Sequence, residues 1–196
     1  MIWLFDRLKL KINNYIIIDN FFPEKICKQL RSYALNDPIV NGDDWKTHIS
    51  KTFDFDYSHS SLKFIADNYV ASKVSFLKKD SYNRSWSNVY ENFTGGVAPQ
   101  IDPGSYFTVN IWVTSDDAIL DKSKNGLKVY KKKYNKMNHG GVVEEEFIKT
   151  TSYDIIPYRY NRAVVFRGNT VHETNEVSMK SGDENKRINY TFLYNK

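Results

Sequence analysis

The sequence predicts an α+β fold, mainly β, in which helices near the amino terminus cover one face of a largely antiparallel sheet or barrel. One β-branched run and two segments with helical spacing occupy residues 1–80, whereas residues 81–196 show the alternation typical of strands. With 196 residues, 41% hydrophobic content and no internal repeat, the chain is large enough for one core. We therefore expect a single domain, residues 1–196, with helical support in residues 1–80 and the barrel core in residues 81–196.

Charge and cysteine content exclude several classes of protein. The net charge of +5 comes from scattered Lys and Arg residues, which argues against nucleic-acid binding. The densest basic run, Lys131–Lys133, is typical of a solvated loop. The single cysteine, Cys27, cannot form an internal disulfide, and the sequence contains neither a long apolar span nor a secretory signal. We therefore expect a cytoplasmic protein that does not bind membranes.

Three elements are predicted in the first half of the chain. The β-branched run Tyr15–Ile18 precedes turn-forming residues and indicates a buried strand. Pro23 suits the first turn of a helix that extends to Leu35, and Cys27 lies beside its apolar stripe, which indicates a core thiol. Apolar residues at helical spacing in residues 62–77 predict a second helix, packed on a sheet.

A strand with period-two alternation is predicted from Ser85 to Phe93. The alternation places Trp86, Asn88 and Tyr90 on one face. Tyr90 is therefore a candidate for hydrogen bonding to a ligand inside the fold.

The strand Tyr106–Thr114 has one face that packs and one face that could line a pocket. An asparagine inside a strand is disfavoured unless its amide is used, so Asn110 is a candidate ligand-binding residue. Tyr106 shares its face and is a further candidate. Alternation puts Phe107, Val109, Ile111 and Val113 on the apolar face, and Tyr106, Thr108, Asn110 and Trp112 on the polar, aromatic face.

The residues just before this strand include a candidate metal ligand. If the extended alternation continues, Gln100 and Asp102 point to the same side as Asn110. A carboxylate at the mouth of a polar-lined sheet could bind a metal ion. An aspartate that caps the Pro103-Gly104 turn is the alternative interpretation.

The last strand presents an arginine on its polar face. Arg187, Asn189 and Thr191 alternate with apolar residues. An arginine that faces into a barrel is costly unless it meets an anion, which can be a buried carboxylate or a ligand carboxylate bound in a bidentate fashion. Upstream, an apolar run and a Gly-Asn turn lead to His172.

Together these features resemble the iron(II)- and 2-oxoglutarate-dependent oxygenases, in particular the prolyl-hydroxylase-like members. The similar stretches are YIIIDNFFPEKICKQL, GGVAPQIDPGSYFTVNIWVT, NGLKVY, YRYNRAVVFRGNTVHET and KRINYTFLY. The resemblance implies a double-stranded β-helix, a jelly-roll or cupin-like barrel. It also implies Fe(II) as the metal and 2-oxoglutarate as the cosubstrate.

The resemblance assigns roles residue by residue. It implies that Asp102 and His172 are metal ligands and that Arg187 binds the distal carboxylate of 2-oxoglutarate. Asn189 stands where the family usually has a Ser or Thr. Tyr90, Tyr106 and Asn110 remain candidate cofactor-binding residues from the strand patterns.

Gln100 departs from the family pattern, because it occupies the position of the first histidine in the His-x-Asp motif. A neutral amide oxygen is a weaker partner for iron than an imidazole. Three explanations follow: iron binds more weakly and activity survives, iron chemistry is lost and the pocket only binds, or another histidine replaces the ligand. The candidate replacements are His48, His59 and His139.

The sequence thus predicts hydroxylation of a small-molecule or side-chain substrate by an oxygenase. The alternative is a non-catalytic, dioxygenase-like binding protein with a degenerate iron site, which Gln100 favours and which Asp102, His172 and Arg187 disfavour. A basic surface-binding protein that acts through Lys131–Lys133 is a third hypothesis, and its binding to nucleic acid would weaken with salt.

Overall fold

The computed structural model of the protein describes residues 10, 12–36, 51–55, 60–90, 95–135 and 141–196, with the backbone alone for residues 51–55 and 60. Two antiparallel sheets face each other, and helices cover the outer face of the larger sheet. The predicted α+β, mainly β fold is confirmed. His48, His59 and His139, the predicted replacement ligands, lie outside the described residues.

Ten strands are described, and they divide into a six-stranded and a four-stranded sheet. The larger sheet has the order β1-β8-β5-β10-β3-β2 and the smaller sheet the order β4-β9-β6-β7 in the following numbering. The strands are β1 (Tyr15–Ile18), β2 (Lys51–Phe55), β3 (Tyr82–Tyr90), β4 (Val97–Gln100), β5 (Phe107–Trp112), β6 (Leu127–Lys133), β7 (Tyr153–Ile156), β8 (Ala163–Arg167), β9 (Thr170–Thr174) and β10 (Arg187–Tyr194).

The helices lie mainly in the first half of the chain. Helix α1 (Glu24–Asn36) starts directly after Pro23, and its buried residues recur at helical spacing. The second predicted helix is interrupted: α2 (Ser60–Ile65) continues through a π-helical turn (Ala66–Val70) into α3 (Ala71–Lys73). A short helix α4 (Glu145–Thr150) precedes β7, and 3₁₀ turns are formed by Lys79–Ser81, Asp116–Ala118 and Asp183–Asn185.

The apolar face of the larger sheet packs on these helices. Val109, Ile111 and Phe192 are fully buried in the largest hydrophobic cluster together with residues of α1 and the π-helical turn. Two tyrosines of β10 also fix the helices. The Tyr190 hydroxyl donates to the Leu30 carbonyl at 2.8 Å, and the Tyr194 hydroxyl donates to the Ala66 carbonyl at 3.0 Å. The opposite face of the sheet is thereby left to face the smaller sheet.

The predicted core thiol is confirmed. Cys27 is 1% exposed in α1. Burial raises the pKa of its thiol to about 11. A thiol in this environment stays protonated and is a poor nucleophile at neutral pH.

Asn161 ties the segment before α1 to the barrel. Its backbone has a positive φ of 56°, a conformation that Asn tolerates better than most residues. The side-chain amide accepts a hydrogen bond from Phe22 N and donates one to Phe22 O, both at 2.8 Å. Nearby, Arg162 Nε donates to Asp19 Oδ1 at 2.6 Å and Arg162 Nη2 to Asp19 Oδ2 at 3.0 Å.

The basic run Lys131–Lys133 was predicted as a loop, and this prediction is wrong. These residues end strand β6, where their side chains are exposed. Lys131 forms an ion pair with Asp154 of the neighbouring strand at 2.8 Å. Solvation of the lysine side chains is therefore compatible with the end of a strand, where both faces are exposed. No helix of the described part of the chain is long and apolar enough to cross a membrane.

Candidate active site

The inner face of the larger sheet presents polar side chains in rows across three strands. Asn189 of β10 lies opposite both Asn88 of β3 and Trp112 of β5. Side chains of directly opposed residues point to the same face of an antiparallel sheet. The row formed by Trp86, Thr191 and Asn110 lies beside it.

Asp102 is held by contacts on both its backbone and its side chain. It follows β4, is 5% exposed, and its Oδ2 accepts a hydrogen bond from Thr108 Oγ1 at 2.6 Å. Its backbone N donates to the Gly168 carbonyl at 2.9 Å. A Cβ on Gly168 would collide with backbone oxygens of Asp102 and Ser105, so the turn before β9 approaches this closely only with glycine.

His172 points its unprotonated nitrogen at Asp102. The imidazole is 6% exposed, and its Nδ1 lies 3.1 Å from the Thr170 carbonyl. A carbonyl only accepts hydrogen bonds, so the neutral imidazole carries its proton on Nδ1. The lone pair of Nε2 therefore faces Oδ2 of Asp102, which lies 3.8 Å away. Two electron-rich atoms at this distance attract a cation or a proton between them.

Gln100 is a third polar residue close to Asp102 and His172. It is half-buried and lies directly opposite His172 in the pairing of β4 with β9. Its side chain therefore lies on the same face as the imidazole. In the described part of the chain, no group of three His, Cys, Asp or Glu side chains could hold a metal ion.

Arg187 is a buried cation at the start of β10. It is 1% exposed, and among the described residues no carboxylate forms an ion pair with it. Nε donates to the Asn125 carbonyl at 3.0 Å and Nη1 to Asn189 Oδ1 at 3.1 Å. Burial lowers the pKa of the guanidinium, and the neighbouring Tyr90 hydroxyl opposes this shift. An arginine still remains charged at neutral pH.

Aromatic rings enclose this guanidinium on several sides. Arg187 Cζ lies 4.5 Å from the ring centre of Tyr90, 5.7 Å from that of Tyr158 and 5.8 Å from that of Trp112. The Tyr90 hydroxyl also lies 3.2 Å from Thr174 Oγ1. The rings favour the cation by cation–π attraction, yet they supply no negative charge. Among the described residues, the positive charge of this guanidinium is therefore not balanced by a carboxylate.

Two further polar atoms of β5 are buried without hydrogen-bond partners among the described residues. They are Asn110 Oδ1 and Trp112 Nε1. Asn110 Nδ2 donates to Thr191 Oγ1 at 3.0 Å, so only the oxygen end of this amide is unpaired. Buried polar atoms rarely lack partners, and both of these lie on the face that also carries Arg187.

The structure brings most of the predicted residues to one side of the larger sheet, but not Tyr106. Asp102, His172 and Gln100 lie at the end near Thr108, whereas Arg187, Asn189 and Tyr90 lie at the end near Trp112; Asn110 lies between them. Tyr106 precedes β5, is 37% exposed, and contacts Arg167 and Lys196. Tyr106 was placed on the polar face as the first residue of the predicted strand, but β5 begins only at Phe107.

Three residues of the site had no assigned role in the sequence. Alternation placed Thr108 and Trp112 on the polar face but gave no indication of their contacts with Asp102 and Arg187. Tyr158, whose hydroxyl donates to the Thr114 carbonyl at 2.7 Å, lies in a loop without periodicity. Its packing against Trp112 depends on the fold of the whole barrel.

Comparison with known proteins identifies the fold. No protein-family model and no curated protein sequence matches the chain. The solved structure of SnoK, a non-heme alpha-ketoglutarate-dependent carbocyclase from nogalamycin biosynthesis, superposes with a TM-score of 0.68 and 13% identity, covering 94% of this chain and 80% of that one. A Pseudomonas putida prolyl-4-hydroxylase superposes with a TM-score of 0.61 and 9% identity, with 100% of both chains covered.

A third structure holds metal and cosubstrate. The epimerase SnoN in complex with Fe3+, alpha-ketoglutarate and nogalamycin RO superposes with a TM-score of 0.64 and 12% identity, covering 100% of this chain and 86% of that one. The resemblance to 2-oxoglutarate- and iron(II)-dependent oxygenases is thus confirmed at the level of fold. The protein is a double-stranded β-helix.

Proposed function

We propose that the protein is an oxygenase that uses iron(II), 2-oxoglutarate and oxygen to hydroxylate a small-molecule or side-chain substrate. One observation carries the proposal: Asp102 and His172 contact one end of the inner face of the larger sheet near Thr108, and Arg187 lies on the same face near Trp112. A metal ion would need the ligands Asp102 and His172, and a dicarboxylate would need the cation Arg187. The fold shared with SnoN, crystallised with Fe3+ and alpha-ketoglutarate, supports this choice of ligands.

The residues at the cation site fit iron(II). The 3.8 Å between Asp102 Oδ2 and His172 Nε2 is less than two metal–ligand bonds of about 2.1 Å, so one ion can contact both atoms. Imidazole and carboxylate are ligands that suit non-heme iron(II). Gln100, on the same face as His172, offers a neutral oxygen as a weaker third ligand. With oxygen as the oxidant, iron(II) bound here together with 2-oxoglutarate would support C–H hydroxylation, and 2-oxoglutarate would be converted to succinate and carbon dioxide.

The protein's own residues position these ligands. Thr108 donates to Oδ2 of Asp102 and so fixes the carboxylate, while the Thr170 carbonyl fixes the tautomer of His172. Arg187 binds the distal carboxylate of 2-oxoglutarate through its planar fork of N–H donors. The fully buried Phe166 packs against the His172 ring with centroids 4.6 Å apart and excludes water from that side.

Succinate formation tests the proposal, because decarboxylation of 2-oxoglutarate gives succinate whichever substrate is hydroxylated. We expect wild type to form succinate with iron(II), Asp102→Ala to form none, and Gln100→His to bind iron more tightly. Tyr106→Phe is the control, since Tyr106 lies at the surface. If wild type binds no metal while Gln100→His binds it strongly, the proposal that the protein is an enzyme is refuted.

A non-catalytic binding protein is the second candidate function, and the half-buried Gln100 at the metal position favours it. Such a protein would keep the anion site at Arg187. It would bind a small dicarboxylic acid in the presence of a chelator and form no succinate. Calorimetry with 2-oxoglutarate, with and without iron(II), separates the two functions.

A further inference from the structure

Trp112 has a buried indole N–H group for which the described residues supply no acceptor. The side chain is fully buried, and Nε1 has no hydrogen-bond partner among the described residues. A buried donor without an acceptor loses the hydrogen bond it makes to water in the unfolded chain. The tryptophan ring packs against Tyr158, with centroids 5.1 Å apart and planes tilted by 32°, so the indole cannot turn freely toward another acceptor.

The Trp112 ring lies near the guanidinium of Arg187, which has no carboxylate partner among the described residues. Arg187 Cζ lies 5.8 Å from the Trp112 ring, and both side chains lie against Tyr158. Asn189 lies opposite Trp112 across the strands, but its Oδ1 already accepts from Arg187 Nη1 at 3.1 Å. This oxygen accepts no hydrogen bond from the indole. A cation and a neutral donor thus lie on adjacent side chains, and no described residue supplies an acceptor for the indole.

A carboxylate satisfies both groups. A carboxylate carries the negative charge that would balance Arg187. It also has two oxygens, so one can accept from the guanidinium and the other from the indole. A neutral acceptor such as water would satisfy Trp112 Nε1 and leave the charge uncompensated. A water could also bridge Trp112 Nε1 to the unpaired Asn110 Oδ1, and this is the competing arrangement.

We propose that Trp112 is a cosubstrate-binding residue that, together with Arg187, donates a hydrogen bond to the distal carboxylate of the dicarboxylic acid. This inference rests on the proposed function only in naming 2-oxoglutarate as the acid. Trp112 then supplies the second donor to the carboxylate. Asn189 Oδ1 accepts from Arg187 Nη1 and so holds the guanidinium in place.

The indole signals in a ¹H–¹⁵N correlation spectrum test the proposal directly. The chain has four tryptophans, so four indole signals are expected. Trp112→Phe and Trp86→Phe assign two of them, and contacts with the Tyr158 ring assign Trp112 independently if Trp112→Phe does not fold. The probe is glutarate in the presence of a chelator. Glutarate has two carboxylates but lacks the 2-oxo group that iron would need.

We expect glutarate to move the Trp112 indole proton downfield and to leave the Trp86 signal in place. Loss of a hydrogen bond to a charged group should weaken glutarate binding by about tenfold or more in Trp112→Phe. Trp86→Phe is the matched control, because it removes an indole from the same sheet face without removing the donor beside Arg187. Glutaramide, the neutral analogue, should shift neither signal.

The outcomes separate this inference from the proposed function. A Trp112 signal that glutarate does not move, or glutarate affinity that Trp112→Phe does not change, overturns the role of Trp112 even if succinate is formed. Absence of glutarate binding by wild type overturns it as well. A shifted Trp112 signal without succinate formation supports binding of the carboxylate by Trp112. The same result refutes the proposal that the protein is an oxygenase.

Discussion

His172 Nε2 lies 3.8 Å from Asp102 Oδ2, with the imidazole proton placed on the other ring nitrogen by the Thr170 carbonyl. In the neutral imidazole, the two atoms therefore face each other as two ligands of one ion would. A cation between them would be held by one anionic and one neutral donor. The strength with which it is held depends on how firmly each donor is oriented.

Thr108 should control metal affinity through Asp102. Thr108→Val removes the hydrogen bond to Oδ2 and keeps the shape of the side chain. We expect Mn(II) affinity to fall by about 10- to 100-fold, the usual effect of losing a group that orients a metal ligand. Isothermal titration calorimetry measures the Mn(II) affinity of each variant. Ser105→Ala is the control, because Ser105 Oγ donates only to the backbone carbonyl of Asp102; equal losses in the two variants would contradict the prediction.

Binding of 2-oxoglutarate to Arg187 should stabilise the folded protein. At 2-oxoglutarate concentrations about 100 times the Kd, wild type should gain about 2.7 kcal/mol. For a chain of this size that raises Tm by roughly 5–10 °C. Arg187→Met removes the charge and should abolish the rise, while Arg187→Lys keeps the charge without the bidentate fork and should retain part of it. Thermal unfolding measures all three, and an undiminished rise in Arg187→Met would exclude the anion site.

Asn161 should stabilise the attachment of the first helix. Asn161→Ala loses two buried hydrogen bonds to Phe22 and places alanine at a φ of 56°, so we expect a loss of about 2–4 kcal/mol. Asn161→Gly should lose less, because glycine adopts this conformation without strain. Urea unfolding gives both values. Asn68→Ala, which removes an exposed hydrogen bond within a helix, should cost little by comparison.

The ion pair of Asp19 with Arg162 predicts a pH dependence of stability. Hydrogen bonding to Arg162 lowers the pKa of the Asp19 carboxyl in the folded state. Its stabilising effect is therefore complete above the unfolded-state pKa of about 3.9 and is lost as the pH falls through the lower folded-state pKa. We expect Asp19→Asn to be less stable than wild type at pH 7 and the difference to shrink below about pH 4. Urea midpoints across this range would refute the prediction if the difference stayed constant.

Strand faces could be predicted from the sequence because the side-chain period of a strand is fixed. Asn110 and Thr191 were placed on polar faces by alternation alone, and the structure joins them by a hydrogen bond. The same rule placed Tyr106 on that face, but Tyr106 precedes β5 and its side chain is 37% exposed. The enclosure of Arg187 by Trp112 and Tyr158 could not be predicted, because it arises from strands and loops far apart in sequence that meet only in the folded barrel.

Gln100 also has a genetic consequence. Glutamine and histidine codons share their first two bases, so a change in the third base of this codon converts Gln100 to histidine. Because Gln100 already lies opposite His172 in the strand pairing, the new imidazole would face the site without any shift in register. A single point mutation therefore separates this chain from one with a complete His-x-Asp motif, and laboratory selection for oxygenase activity should find that codon early.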